Sequence, residues 1–165
     1  MPAASVRPSL VFGGRQAILI NNIAWFLRRA PVFSIPRRAC RVQPVHVDDV
    51  ARIAADAHEP GVFDAVGPET FTYRELVANV AAAVGSRVRI VALPERAVAA
   101  LGRAAGVALR DTVVTAEELG ALTSSLLISD EPPRGHVRFS DWLPGQADWL
   151  GREYHSELDR HWRRA

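Results

Sequence analysis

Short β-branched runs alternate with stretches whose apolar residues recur at helical spacing, and this alternation confines the chain to an α/β architecture with parallel crossovers. Val6 to Phe12 reads as a strand closed by the turn Gly13-Gly14. Residues 16 to 30 then place Leu19, Ile23, Phe26, Leu27 and Ala30 on one stripe, and Pro31 ends the helix that stripe predicts. Val32 to Ile35 is a brief extended piece, and Arg41 to Val47 a strand interrupted at Pro44. Asp48 has the character of an N-cap for a helix with Val50, Ile53, Ala54 and Ala57 on one face, stopped by Pro60-Gly61. After a strand at Val62 to Val66, Thr72 to Glu75 forms a capping box, with Phe71 and Leu76 as its hydrophobic staple and Gly85 as the C′ residue. Val88, Ile90 and Leu93 belong to a further strand. Pro94 suits the first turn of the next helix, whose stripe is Val98, Leu101, Ala105 and Leu109. A second capping box lies at Thr115 to Glu118, and residues 129 to 137, with Pro132-Pro133 and Gly135, form a loop. Leu150, Tyr154, Leu158 and Trp162 then make an i+4 row that predicts a terminal helix, with Trp149 beside it.

Length and composition fit one globular domain: 165 residues, 48% hydrophobic, net charge +2. No apolar run approaches the roughly 18 residues needed to cross a bilayer, so no membrane span is expected. The opening Met1 to Arg7 lacks the apolar core of a secretory signal, so a cytoplasmic location is expected. The single cysteine, Cys40, is expected to act as an apolar filler in a reducing compartment. All 20 basic residues are arginine, which removes Walker A, Schiff-base and Tyr-x-x-x-Lys chemistry. No G-x-G-x-x-G joins a strand to a helix, and no G-x-S-x-G, H-E-x-x-H or paired cysteine ligands occur, so no metal is expected.

The charge is uneven. Residues 1 to 47 hold seven arginines and no acid, while the remainder holds 13 arginines against 18 acids. Such a front end suits an anion, whether a phosphate or an acidic surface, or else a solvated face. It matches no nucleic-acid reader motif, so no nucleic-acid partner is expected. His46 and Asp48, where a strand passes into a helix, suit either an acid/base pair lining a pocket or a packed histidine beside a cap. His155 and His161 are six residues apart, the wrong spacing for a helical metal pair. Trp142, Trp149, Tyr154 and Trp162 are expected to pack the last helix against the core.

Three landmarks in order, Arg7-Pro8-Ser9-Leu10-Val11-Phe12-Gly13, Arg41 to Ala51 (RVQPVHVDDVA) and Val66 to Leu76 (VGPETFTYREL), resemble the NAD(P)-dependent epimerase/dehydratase-like proteins, extended or atypical short-chain dehydrogenases/reductases. The resemblance is to their C-terminal half: the last strands of a Rossmann-like sheet plus a small mixed α/β substrate subdomain, with a helix-rich C-terminus. It implies that residues 1–165 are a single partial domain, the substrate-binding portion, without the glycine-rich cofactor half. Such a portion would not be catalytic alone. The parent family uses NAD(P), and none is expected to bind tightly to this chain by itself. By the same resemblance Gly13 and Gly14 would approach the cofactor, and Arg15, Gln16, Arg41 and His46 would line the cleft for a small-molecule or nucleotide-linked substrate. Asp48 and Asp49 would cap and brace the adjoining helix. Gly14-Arg15 departs from the Pro and Asp common in the family at this turn. A non-enzymatic alternative, NAD(P) sensing or complex assembly, also fits an atypical relative. Separation from upstream strands would leave an open sheet edge and favour self-association.

Overall fold

A computed structural model describes residues 4–14, 17–111, 120, 122, 124 and 126–156. Among these, eight short strands, β1 (Ala4–Pro8), β2 (Val11–Phe12), β3 (Val32–Pro36), β4 (Arg41–Val42), β5 (Val45–His46), β6 (Gly61–Ala65), β7 (Phe71–Thr72) and β8 (Arg89–Leu93), alternate with helices α1 (Ile18–Arg29), α2 (Val47–Asp56), α3 (Tyr73–Ala83) and α4 (Glu95–Leu109). A one-turn helix, Phe139–Trp142, runs into a 3-10 turn at Leu143–Gln146. The α/β class expected from the alternation is the class observed.

The strands pair as β1 with β6, β2 with β5 and β3 with β8, all parallel, and β4 with β7 antiparallel. The run from Val6 to Phe12 is therefore two strands, not one. Pro8, which has no amide hydrogen, ends β1 opposite Ala65, and the chain then changes partner. Ser9 Oγ donates to the Gln43 carbonyl, and the Val45 amide donates to the Leu10 carbonyl at 2.9 Å. Gln43-Pro44 makes the matching break between β4 and β5.

Helix α1 packs against α3 over the centre of the core. Phe12, Ile20, Leu27, Val42, Leu76, Val77, Val80, Phe139 and Leu150 are fully or almost fully buried there. The inward stripe of α1 is Ile20, Ile23, Ala24 and Leu27, and Leu19 instead points outward, 47% exposed. Helix α3 opens on the expected capping box: Thr72 Oγ1 accepts from the Glu75 amide at 3.2 Å, and Glu75 accepts from the Thr72 amide at 2.7 Å. Gly85, at φ 66°, follows its C-cap as expected. Pro94 stands one place earlier than expected, at the N-cap of α4. Of the four stripe residues predicted for α4, Val98 is buried and Leu101 is 51% exposed.

The terminal helix requires correction over its described part. Residues 147 to 151 form turns and 154 to 156 have no regular structure. Gly151, at φ 72°, breaks the pattern, and a Cβ there would lie 2.5 Å from the Ala24 carbonyl carbon. The chain is drawn across α1 by polar side chains: Asn21 donates to Glu153 O at 2.9 Å and accepts from Gly151 N at 2.9 Å. Asn22 bonds both the carbonyl and the amide of His155. Leu150 is buried as expected, while Leu158, Trp162, His161 and the second capping box at 115–118 lie outside the described residues.

Candidate functional site

Strands β2 and β5 are in register at Phe12 and His46, and both chains leave the ladder there at the C-terminal ends of the strands. That is where open α/β sheets hold their ligands. The backbone after Phe12 turns through Gly13 at φ 112° and Gly14 at φ 66°. A Cβ on Gly13 would stand 2.6 Å from His46 Nε2 and 3.0 Å from Val47 Cγ1, so only glycine lets the imidazole lie against this turn. Gly14 has nothing within 4 Å of its would-be Cβ and faces open space.

His46 also caps α2, correcting the assignment of that role to Asp48. Its Nδ1 accepts from the Asp48 amide at 3.3 Å, and the Asp48 carboxylate lies 3.6 Å from the same nitrogen. Because Nδ1 is an acceptor, the neutral ring carries its hydrogen on Nε2, the atom directed at the glycine turn. The packing and the polar-wall readings of His46 are thus properties of one ring. Phe12, fully buried, meets the His46 ring edge-on at 5.2 Å between centroids, and meets Phe139 and Trp142 at 5.1 Å each. This aromatic group fixes the floor beneath the turn.

Arg41 lies elsewhere. It is exposed on β4, opposite Thr72 of β7, and among the described residues no hydrogen bond or ion pair reaches its guanidinium. Arg15 and Gln16 fall outside the described residues. The structure therefore brings Gly13, Gly14 and His46 together and sets Arg41 on a neighbouring ladder.

Two carboxylates that sequence reasoning did not place in the site anchor the segment 136–140. Asp49, buried, accepts from the amides of His136 and Val137 at 2.8 and 2.9 Å and from Arg52 at 3.2 Å. Burial pushes its carboxyl up, but the two amides and Arg52 outweigh that, leaving it below the ordinary aspartate value. Glu69 accepts from the Ser140 amide and hydroxyl and from Arg138 at 2.7 Å; burial again opposes these partners and loses. The signal for Asp49 was in the sequence: it sits four residues before Ile53, on the same inward face of α2. Asp49 braces as expected, whereas Asp48 is exposed.

Gln43 ties the break between strands together. Its Nε2 donates to Gly67 O at 2.9 Å, and its Oε1 accepts from Ser129 N at 3.2 Å. A Cβ on Gly67 would meet Pro44 O at 1.9 Å, which explains the glycine of the third landmark. Among the described residues no three potential ligands gather for a metal. The glycine turn offers one open flank, since the other is filled by His46. The sequence carries no glycine fingerprint joining a strand to a helix and no lysine.

No protein-family model matches the chain, and no curated protein matches it. Solved structures do. The UDP-glucose 4-epimerase of Thermus thermophilus, determined with NAD, is similar over 88% of this chain and 45% of its own, at 20% identity and a TM-score of 0.53. A nucleoside-diphosphate-sugar epimerase of Staphylococcus aureus is similar over 90% of this chain and 51% of its own, at 15% identity and a TM-score of 0.55. The chain thus spans about half the length of these proteins, and over that half it shares their Rossmann-like α/β fold.

Proposed function

We propose that this chain is the substrate-binding portion of an NAD(P)-dependent epimerase-, dehydratase- or reductase-like protein, a single partial domain that is not catalytic alone. The observation that carries the reading is the likeness in fold to about half of the epimerase chains, combined with a glycine turn and His46 meeting at the ends of parallel strands. In this reading the nicotinamide cofactor supplies hydride transfer and is held chiefly by a glycine-rich half that this sequence does not contain. The chain's own residues would bind and orient. Gly14 leaves the backbone low enough for a ligand to approach from the open flank, Gly13 makes room for the imidazole on the other, and the Nε2 hydrogen of His46 can donate to an oxygen placed at the turn. Arg41, with no carboxylate partner among the described residues, can offer two parallel N–H groups to a phosphate of a nucleotide-linked substrate.

The test is calorimetric titration of the whole chain with UDP and UDP-glucose, at low and at high salt. Saturable binding that weakens about tenfold in Arg41→Ser is expected, the loss of one charge-assisted pair. No nicotinamide oxidation or reduction is expected from the chain alone. Binding unchanged in Arg41→Ser would remove that residue from the site, and stoichiometric nicotinamide turnover would overturn the reading as a non-catalytic portion.

A further inference from the structure

The outer face of α4 takes no part in the site described above. The helix is anchored by few residues: within it Val98 and Gly106 are buried. Arg96 and Arg103, with Arg110 at the C-cap, recur every seven residues, so that at about 100° per residue all three fall within about 40° of one meridian. All three are exposed, and among the described residues none has a hydrogen-bonding or ionic side-chain partner. Val107, 81% exposed, lies on the same meridian, and Ala100, Ala104, Ala108 and Leu101, the last 51% exposed, form the flank beside it. Glu95, at the first turn, is the one acid in α4. The outward surface is therefore a row of unneutralised guanidinium groups along an apolar strip, 15 residues long.

We infer that this face of α4 is a peripheral docking surface for an anionic lipid bilayer, with Arg96, Arg103 and Arg110 on the headgroups and Leu101 and Val107 entering the boundary below them. Charge complementarity favours that occupant. A helix whose arginines flank an apolar strip can lie in the headgroup plane, where arginine stems also cover apolar surface while the charge stays in the wet layer. Two kinds of attraction act together, as stable surface binding requires. No helix among the described residues is long and apolar enough to cross a membrane, so the association is parallel to the surface. The inference is independent of the proposed function.

The experiment is sedimentation of the whole chain with vesicles of phosphatidylcholine alone and of phosphatidylcholine with about 30% phosphatidylglycerol, an anionic surface of the kind that attracts basic segments. The expected result is binding to the anionic vesicles only, weakening steeply between about 0.05 and 0.5 M salt as charge attraction is screened. The combined change Arg96→Gln, Arg103→Gln, Arg110→Asn should reduce partitioning about 100-fold, about fivefold for each arginine near a charged surface. Asn is chosen at 110 because that residue has φ 54°. Leu101→Ser with Val107→Ser should cost about tenfold more with the arginines intact. All five positions are exposed, and circular dichroism with size-exclusion chromatography checks that each variant keeps its fold and size. Failure to bind anionic vesicles, or binding unaffected by the arginine changes, would overturn the inference. So would equal binding to soluble polyglutamate that ignores Leu101 and Val107, which would mark an acidic polypeptide as the partner. A dimer that the serine changes dissolve would mark a second copy instead.

Discussion

At the scale of single residues, glycine positions separate two costs that sequence alone cannot distinguish. Gly14 has a positive φ and open space, whereas Gly67 has an ordinary φ and the Pro44 carbonyl 1.9 Å from where a Cβ would stand. Gly14→Ala should therefore lose about 1 kcal/mol, the left-handed penalty alone. Gly67→Ala must displace a backbone carbonyl buried beside Gln43 and should lose about 3 kcal/mol or more, the range of severe core disruption. Urea denaturation of the two variants checks the order, and equal losses would show that strain and not crowding governs both. The glycines were legible as turns or landmarks, but the 67–44 approach joins residues far apart in the chain and no local pattern reports it. Asp49 is similar. Its neighbour Asp48 has the same side chain, yet only Asp49 points inward, and its partners His136 and Val137 come from a loop almost 90 residues away. That pair makes a prediction about acid. A carboxyl held below its ordinary value in the folded state contributes stability that is complete above the unfolded value of about 4 and is lost as pH falls through the folded value. Asp49 and Glu69 are both of this kind. Stability should thus be flat from about pH 7 to about pH 5 and fall below it. In Asp49→Asn the fall should be shallower and the plateau lower by about 2 kcal/mol, as two amide bonds to a charged acceptor weaken. Unchanged acid sensitivity in that variant would exclude Asp49 as a source.

Elements whose ends are marked by local chemistry were the ones that could be read: the Thr72 box and Gly85 bracket α3, and Pro31 ends α1. The stretch after the 3-10 turn departs from its sequence pattern because Leu150 and Tyr154 keep helical spacing without making a helix. Their side chains do pack as predicted. Leu150 is buried, and Tyr154 meets Trp25 and Phe26 while its hydroxyl donates to Asp111 at 2.6 Å. What overrode propensity is a set of polar groups on α1 that bind main-chain atoms of the crossing segment. Arg28 donates to Leu150 O at 2.9 Å and to Ala147 O, and Arg29 to Gly151 O and Arg152 O. Recognition of carbonyls and amides leaves no trace in the sequence of the segment recognised. Removing Asn21 should strip the Gly151 amide and the Glu153 carbonyl of partners in a buried place. Asn21→Ala is expected to cost about 2 to 3 kcal/mol, the cost of leaving such groups unmade, and hydrogen exchange should accelerate first at Gly151 and then at His155. Leu19→Ala, on the exposed side of the same helix, should change stability by less than about 0.5 kcal/mol. If amides 151–155 exchange no faster in Asn21→Ala, the segment is held by its apolar contacts and not by α1's polar groups.

Over the whole molecule, the described strands form four separate two-stranded ladders and not one continuous sheet. Pairs of strands have little stability unless layers cover them, and here α1, α3 and the buried aromatic group supply that cover. The β1–β6 ladder is the most open. Among the described residues β1 is paired on one side alone, Val62 of β6 is 54% exposed, and the Arg7–Asp64 ion pair at 2.8 Å lies at its exposed rim. A five-residue strand with a free row of amide and carbonyl groups is a template for another strand. Its exposed residues Ala4, Ser5, Arg7 and Pro8 include a single charge and a proline at the last position, so the guard against such pairing sits at one end of the strand. Self-association through β1 is therefore expected, with the mean mass from light scattering rising with concentration. Because main-chain bonds and apolar contact drive it, the rise should persist at high salt, unlike attraction through the arginine faces. Ser5→Lys should suppress it by placing a charge on the pairing strand itself, next to the β1 of the other copy, while leaving the monomer's stability within about 0.5 kcal/mol because the site is exposed. A constant monomer mass to high concentration would show that this edge is covered, and association abolished by salt but not by Ser5→Lys would place the contact on a charged face.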